Sequence, residues 1–252
     1  MRANEFITEG PLEPIPQEKR QFYRDIWRHQ FAAPGELWDD NYDDRPAGLR
    51  DPFTSGAGIK HLGSGAEAAV IKSSNENGVY KVIGTYQQLG QSGHLQYLLA
   101  TKKYANSNPY FPRILGANAI NRISGTDPDV HGYIVKTERL YNLSTMSTDA
   151  LTAMLQKIYG TNFVSHFDDM VQFARYIKSG INGALASQVI DPEFKQAAKL
   201  IIAVATKINS QHAINDLIDL HAANMMVRLT HVGPQLVLSD PIYNGDEGQY
   251  NN

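Results

Sequence analysis

Residues 216–228 read DLIDLHAANMMVR, and six residues further on residues 235–241 read QLVLSDP. The apolar runs in these segments read as two short strands around a turn at residues 230–234. They carry Asp219, then Asn224 five residues later, then Asp240 sixteen residues after that. A carboxylate, a carboxamide and a second carboxylate are hard oxygen donors of the kind Mg²⁺ takes. Two of them can serve the ion, which leaves one carboxylate to position a hydroxyl.

Upstream of this stretch the chain reads as helical. Residues 147–159, 164–178 and 191–211 carry apolar side chains at helical spacing. The last has Asp191 as its cap and Pro192 at its first helical position, a favourable start. Its side Phe194, Ala197, Leu200, Ile201, Val204 and Ile208 reads as a core stripe.

Residues 56–84 have a different character. IKHLGSGAEAAVIK (residues 59–72) is apolar, then glycine-rich, then apolar; SSNENG (residues 73–78) is a turn cluster; VYKVI (residues 79–83) is a short strand. This predicts a three-strand meander with a glycine turn at its first bend. Glycines there let backbone N–H groups approach phosphate oxygens with no Cβ in the way. A plain hairpin turn is the alternative. Lys81 sits mid-strand among apolar residues, where a cation can hold phosphates; the alternative is an edge-strand lysine pointing to water. Residues 85–104 read as a helix, with Leu89, Leu95, Leu98 and Leu99 on its apolar side and Gly90 and Gly93 weakening its first half. Residues 113–123 and 132–140 read as two further strands joined by a polar loop.

Composition bounds the function. The chain has 252 residues, enough for one large domain or two small lobes, with 42% apolar and 19% charged residues. A net charge of −3 gives no electrostatic case for nucleic acid or an anionic membrane as partner. The absence of cysteine removes disulfides, thiolate metal sites and a Cys nucleophile, and fits a reducing compartment. The opening MRANEFITEG lacks an apolar core, so no secretory signal is expected, and no window has the length of a membrane span. Residues 1–55 read as an extension with a possible helix at 17–31; they form either a packing arm or a docking segment.

Asp219, Asn224 and Asp240, in this order after a glycine turn, a strand lysine, a helix, two strands and helices, resemble the catalytic and metal-binding loops of the protein-kinase-like superfamily. The DLHAAN wording of residues 219–224 is similar to the Asp-x-His-x-x-Asn version, found in its small-molecule, lipid and atypical kinases. The resemblance covers roughly residues 56–245. It implies a bilobal α+β fold: an antiparallel five-stranded N-lobe with one helix over residues 56–140, and a minimal, mainly helical C-lobe over residues 141–252. It implies ATP and Mg²⁺, or Mn²⁺, as cofactors. Gly63, Ser64 and Gly65 would cover the phosphates, Val70 would pack on the adenine, and Lys81 would hold the α- and β-phosphates. Glu138 and Leu140, ending the fifth strand, look like the adenine-binding hinge, and Met226 like the pocket floor. Asp219 would orient and deprotonate the acceptor; Asn224 and Asp240 would bind the metal. His221 would orient the catalytic loop, neighbour the metal, or simply pack in the loop.

This sequence departs from that family's pattern. The helix after Lys81 should offer a glutamate, yet residues 85–104 contain no acid; Gln96 is the nearest substitute, with Gln87, Gln88 and Gln91 before it. An amide can hydrogen-bond a lysine but cannot hold it by charge. The third loop glycine is Ala68, Leu217 and Ile218 stand where His-Arg usually precedes the catalytic Asp, and Pro241 replaces the glycine after the metal-binding Asp. Little of the sequence follows Asp240, so no peptide-binding helices are expected. The short C-lobe and the opening resemble a viral kinase-like protein. The expectation is a cytoplasmic Ser/Thr protein kinase with an as yet undefined protein substrate. The alternatives are a pseudokinase or nucleotide-binding interaction module, an AMP-transferring form, or an unrelated α+β protein.

Overall fold

The structure, a computed structural model, describes residues 59–64, 68–73, 78–85, 92–104, 107–115, 120–124, 131–163, 167, 169–208 and 218–242. The expected extension at 1–55, Gly65, the amides Gln87, Gln88 and Gln91, and the loop at 125–130 lie outside these residues. The described chain is of mixed α+β class, with four α-helices and antiparallel sheets. Its described residues divide into two units: one holds those between residues 59 and 85 and between 114 and 139, the other those between 92 and 113 and between 140 and 242.

The first unit is built on β1 (Ile59–Ser64), β2 (Ala68–Ser73), β3 (Val79–Thr85), β4 (Ile120–Ser124) and β5 (His131–Thr137). They lie in the order β1-β2-β3-β5-β4, every neighbouring pair antiparallel. β3 is central, paired along its length by β5 and over residues 80–83 by β2, and its Tyr80 and Ile83 are fully buried. Gly78, just before β3, has φ +91°, and a Cβ there would sit 2.5 Å from the Thr137 carbonyl oxygen. Only glycine serves both the backbone conformation and the close approach. This contact coincides with the pairing of Val79 with Thr137, the last rung of the β3–β5 ladder. β5 therefore ends at Thr137, three residues short of the expected Leu140: beyond that rung β3 offers no partner.

The second unit contains α1 (Gly93–Lys102), β6 (Tyr141–Asn142), α2 (Thr148–Tyr159), α3 (Met170–Asn182), α4 (Pro192–Ile208), β7 (Met225–Thr230) and β8 (Gly233–Leu238). β7 and β8 form a hairpin, with β6 on its outer edge. Side chains of α1 to α4, of the segment after α1 and of the hairpin make one apolar core, including Tyr97, Phe111, Leu155, Phe173, Phe194 and Val227. Arg228, buried in β7, donates to the carbonyls of Pro109 and Phe111 at 2.8 Å each. Both bonds are charge-assisted, and they tie the hairpin to the segment after α1.

Local chemistry explains where these helices start. Ser92 caps α1, its hydroxyl accepting from the Leu95 N–H. The helix therefore begins at Gly93, not at Thr85, which instead closes β3. The third expected helix starts at Met170 rather than Val164, because Asp169 accepts from the Gln172 N–H at 2.8 Å and caps it there. α4 follows its sequence signature: Asp191 Oδ1 accepts from the Glu193 and Phe194 N–H groups, and the expected stripe is buried apart from the half-buried Ile208. No helix among the described residues is long and apolar enough to cross a membrane.

Gly180 marks the tightest helix contact. A Cβ there would meet the Tyr159 hydroxyl at 2.3 Å and the Phe194 ring at 3.3 Å. Tyr159 cannot swing aside: its hydroxyl donates to the Tyr176 carbonyl and its ring stacks on Phe163 at 4.4 Å. Overpacking costs about 1–3 kcal/mol, against a helix-propensity gain of about 1 kcal/mol for alanine. Gly180→Ala is therefore expected to lower the urea midpoint, at an unchanged slope. A raised midpoint would show that the contact is loose.

Candidate functional site

The sheet unit sets the glycine turn and the lysine in register. Gly63 pairs with Val70, and Val70 pairs with Lys81. Lys81 in turn pairs with Val135. Directly opposed residues of antiparallel strands share a face, so Gly63, Val70, Lys81 and Val135 form one row across four strands. The register of β1 slips between His61 and Gly63, a bulge of the kind that re-aims a strand end. Ser64, the last residue of β1, lies opposite Ala69. Lys81 is half-buried on the central strand, between the buried Val79 and Ile83 on its own face. This corrects the alternative of an edge-strand lysine in water. Glu138 and Leu140 are half-buried but follow β5 in irregular backbone, instead of ending the strand. They flank the division between the two units, which falls at Arg139 and Leu140.

In the second unit Asp219, Asn224 and Asp240 are joined by hydrogen bonds. Two backbone links set the frame. The Asp219 N–H donates to the Pro241 carbonyl at 3.0 Å, beside a bridge between Ile218 and Ile242. The Asn224 carbonyl accepts from the N–H groups of Ser239 and Asp240 and from the Ser239 hydroxyl. The loop bearing Asp219 and Asn224 is thus fastened to the turn bearing Asp240, although sixteen residues separate Asn224 from Asp240 in sequence. The Asn224 side chain then reaches back. Its Nδ2 donates to the Asp219 carbonyl and to Asp219 Oδ2, both at 2.9 Å. With the nitrogen spent on Asp219, the amide oxygen is the end left to meet a cation. Asp219 keeps 40% of its side chain exposed, so an acceptor hydroxyl can reach it.

Helix α1 holds the other side of this arrangement. Tyr97 and His94, three residues apart, lie on one helix face. The Tyr97 hydroxyl donates to the Leu238 carbonyl at 2.7 Å. Burial, with Asp240 nearby as a second cause, pushes that phenol well above its usual pKa, so it stays a donor at neutral pH. The Leu238 N–H is bound by the Tyr110 carbonyl at 2.9 Å. His94 Nδ1 bonds Asp240 Oδ1. An ionised carboxylate only accepts, so with Asp240 ionised Nδ1 is the donor of this bond. Nothing local in the sequence marks His94, which is 146 residues from its partner; the one available signal was a polar ring in a helix that otherwise offers no acid.

His221 has a definite role. Its Nδ1 accepts from the Ala223 N–H at 3.2 Å and caps the 3-10 turn Ala222–Asn224. Its ring is more than half exposed, and Nε2 lies 3.7 Å from Asp219 Oδ2. It orients the loop and is not packed inside it. Met226 is half-buried on β7, opposite Asn142 and Val237, while its neighbours Met225 and Val227 enter the core.

The donor set fits Mg²⁺: one carboxylate and one amide oxygen, with water and phosphate to complete an octahedron, is a usual arrangement for that ion. Among the described residues no group of three His, Cys, Asp or Glu side chains is placed to hold a metal by itself. A hollow of about 140 Å³ lined by Tyr110, Met154, Lys157 and Val232 contains none of these residues, and its Lys157 is bound to Gln235 at 2.6 Å. No protein-family model, curated protein or solved structure matches the chain.

Proposed function

We propose that the chain is an ATP- and Mg²⁺-dependent phosphotransferase with a bilobal, kinase-like architecture, acting on a Ser or Thr hydroxyl of a protein. The observation that carries the reading is the joined set Asp219, Asn224 and Asp240, with the Asn224 amide nitrogen turned to Asp219. Gly63, Ser64 and Gly65 would cover the phosphates and Lys81 would hold the α- and β-phosphates. Val70, Glu138, Leu140 and Met226 would surround the adenine. Asn224 and Asp240 would hold Mg²⁺, which when bound neutralises charge on the phosphates. Asp219 orients the acceptor hydroxyl and takes its proton as the new P–O bond forms and the bond to the ADP oxygen breaks. Asn224 fixes the carboxylate for that task, and the turn capped by His221 fixes Asn224.

A second reading is favoured by one observation. α1 carries no acidic side chain, and its buried central amide is Gln96. A nucleotide-binding pseudokinase, or a form that transfers AMP, is consistent with that substitution. Thermal melting tests the binding common to both. At ATP·Mg²⁺ a hundredfold above Kd, binding adds about 2.7 kcal/mol, or roughly 5–10 °C for a chain of this size. Lys81→Ala should lose most of that rise. A wild-type protein whose melting does not respond to ATP·Mg²⁺ would refute both readings.

A further inference from the structure

We propose that His94 is a positioning residue for Asp240, holding one carboxylate oxygen so that the other is presented to the metal ion. This rests on the reading of Asp240 as a metal ligand. Three observations support it. His94 Nδ1 bonds Asp240 Oδ1 across the chain, from α1 to the turn after β8. The imidazole is almost wholly buried while the Asp240 side chain is 29% exposed, so the ring grips the carboxylate from the protein side. Tyr97, one helical turn on, fixes the Leu238 carbonyl two residues before Asp240, so α1 controls both the backbone and the carboxylate of this turn. The Nδ1 bond fixes the orientation of the carboxylate at Oδ1, as outer partners of metal ligands commonly do. α1 would thereby set metal affinity through Asp240, in a chain whose α1 bears no acidic side chain.

The test measures Mn²⁺ binding to the full chain with ADP present, by the loss of the free-ion electron paramagnetic resonance signal, alongside melting temperature. His94→Leu should weaken Mn²⁺ binding about 10- to 100-fold. His94→Asn, whose amide nitrogen can take the place of Nδ1, should restore it to near the wild-type value. Tyr97→Phe removes the neighbouring bond to Leu238 and should lower the melting temperature while leaving Mn²⁺ affinity close to wild type. If His94→Leu does not fold, His94→Asn against His94→Gln decides, because the longer side chain misplaces the donor and should bind Mn²⁺ more weakly. The proposal is overturned if His94→Leu, or His94→Gln in its place, binds Mn²⁺ like wild type while Asp240→Asn binds weakly. Equal binding by wild type and Asp240→Asn would overturn the underlying assignment of Asp240 as well.

Discussion

Replacing Asp219 by asparagine is expected to lower the proposed phosphoryl transfer by about 10²- to 10⁴-fold, the usual contribution of a positioned base, and to leave the expected ATP-induced rise in melting temperature in place. The substitution keeps the size of the side chain and an oxygen to accept from Asn224 Nδ2, and the backbone bond from residue 219 to Pro241 is untouched. What it removes is the capacity to take a proton. Single-turnover transfer from γ-labelled ATP, with melting as the control for binding, separates the two. Full transfer by the variant would mean that the acceptor is deprotonated elsewhere.

Asp240→Asn should be comparably severe for a different reason. A metal held there as proposed would supply several kcal/mol of charge stabilisation, so its loss at saturating ATP is expected to lower transfer by about 10³-fold. The amide oxygen can still accept from His94, so folding is expected to survive. Raising Mg²⁺ or offering Mn²⁺ should recover part of the rate, because the ligand is weakened and not its neighbours. Transfer that is slow in Asp219→Asn but normal in Asp240→Asn would place the ion elsewhere.

The residues of the candidate site were more legible in the sequence than their supports. Asp219, Asn224 and Asp240 stand at ends of short apolar runs, and the structure joins them through backbone bonds that need no particular side chain. β1 to β3 were legible because Gly63 and Gly78 punctuate alternating apolar residues. The start of α1 was not: Thr85 is drawn into β3 by its pairing with His131, a contact 46 residues away in sequence. The start of α3 was misplaced because residue 167 was read into the helix, yet Phe167 lies before the Asp169 cap and packs edge-on against Phe173. β6 has two residues, too few for any periodicity, and exists only because Tyr141 and Asn142 pair with Val227 and Met226. His94 escaped notice for the same reason: its meaning lies wholly in a partner far along the chain.

The proposed activity is transfer of the γ-phosphoryl group of ATP. Purified protein incubated with Mg²⁺ or Mn²⁺ and, in separate reactions, γ-labelled and α-labelled ATP tests it directly. Phosphotransfer predicts label from the γ position, on the protein itself or on a protein in added lysate, and its loss in Asp219→Asn. Label from the α position would instead identify AMP transfer, and no label from either position would contradict phosphotransfer.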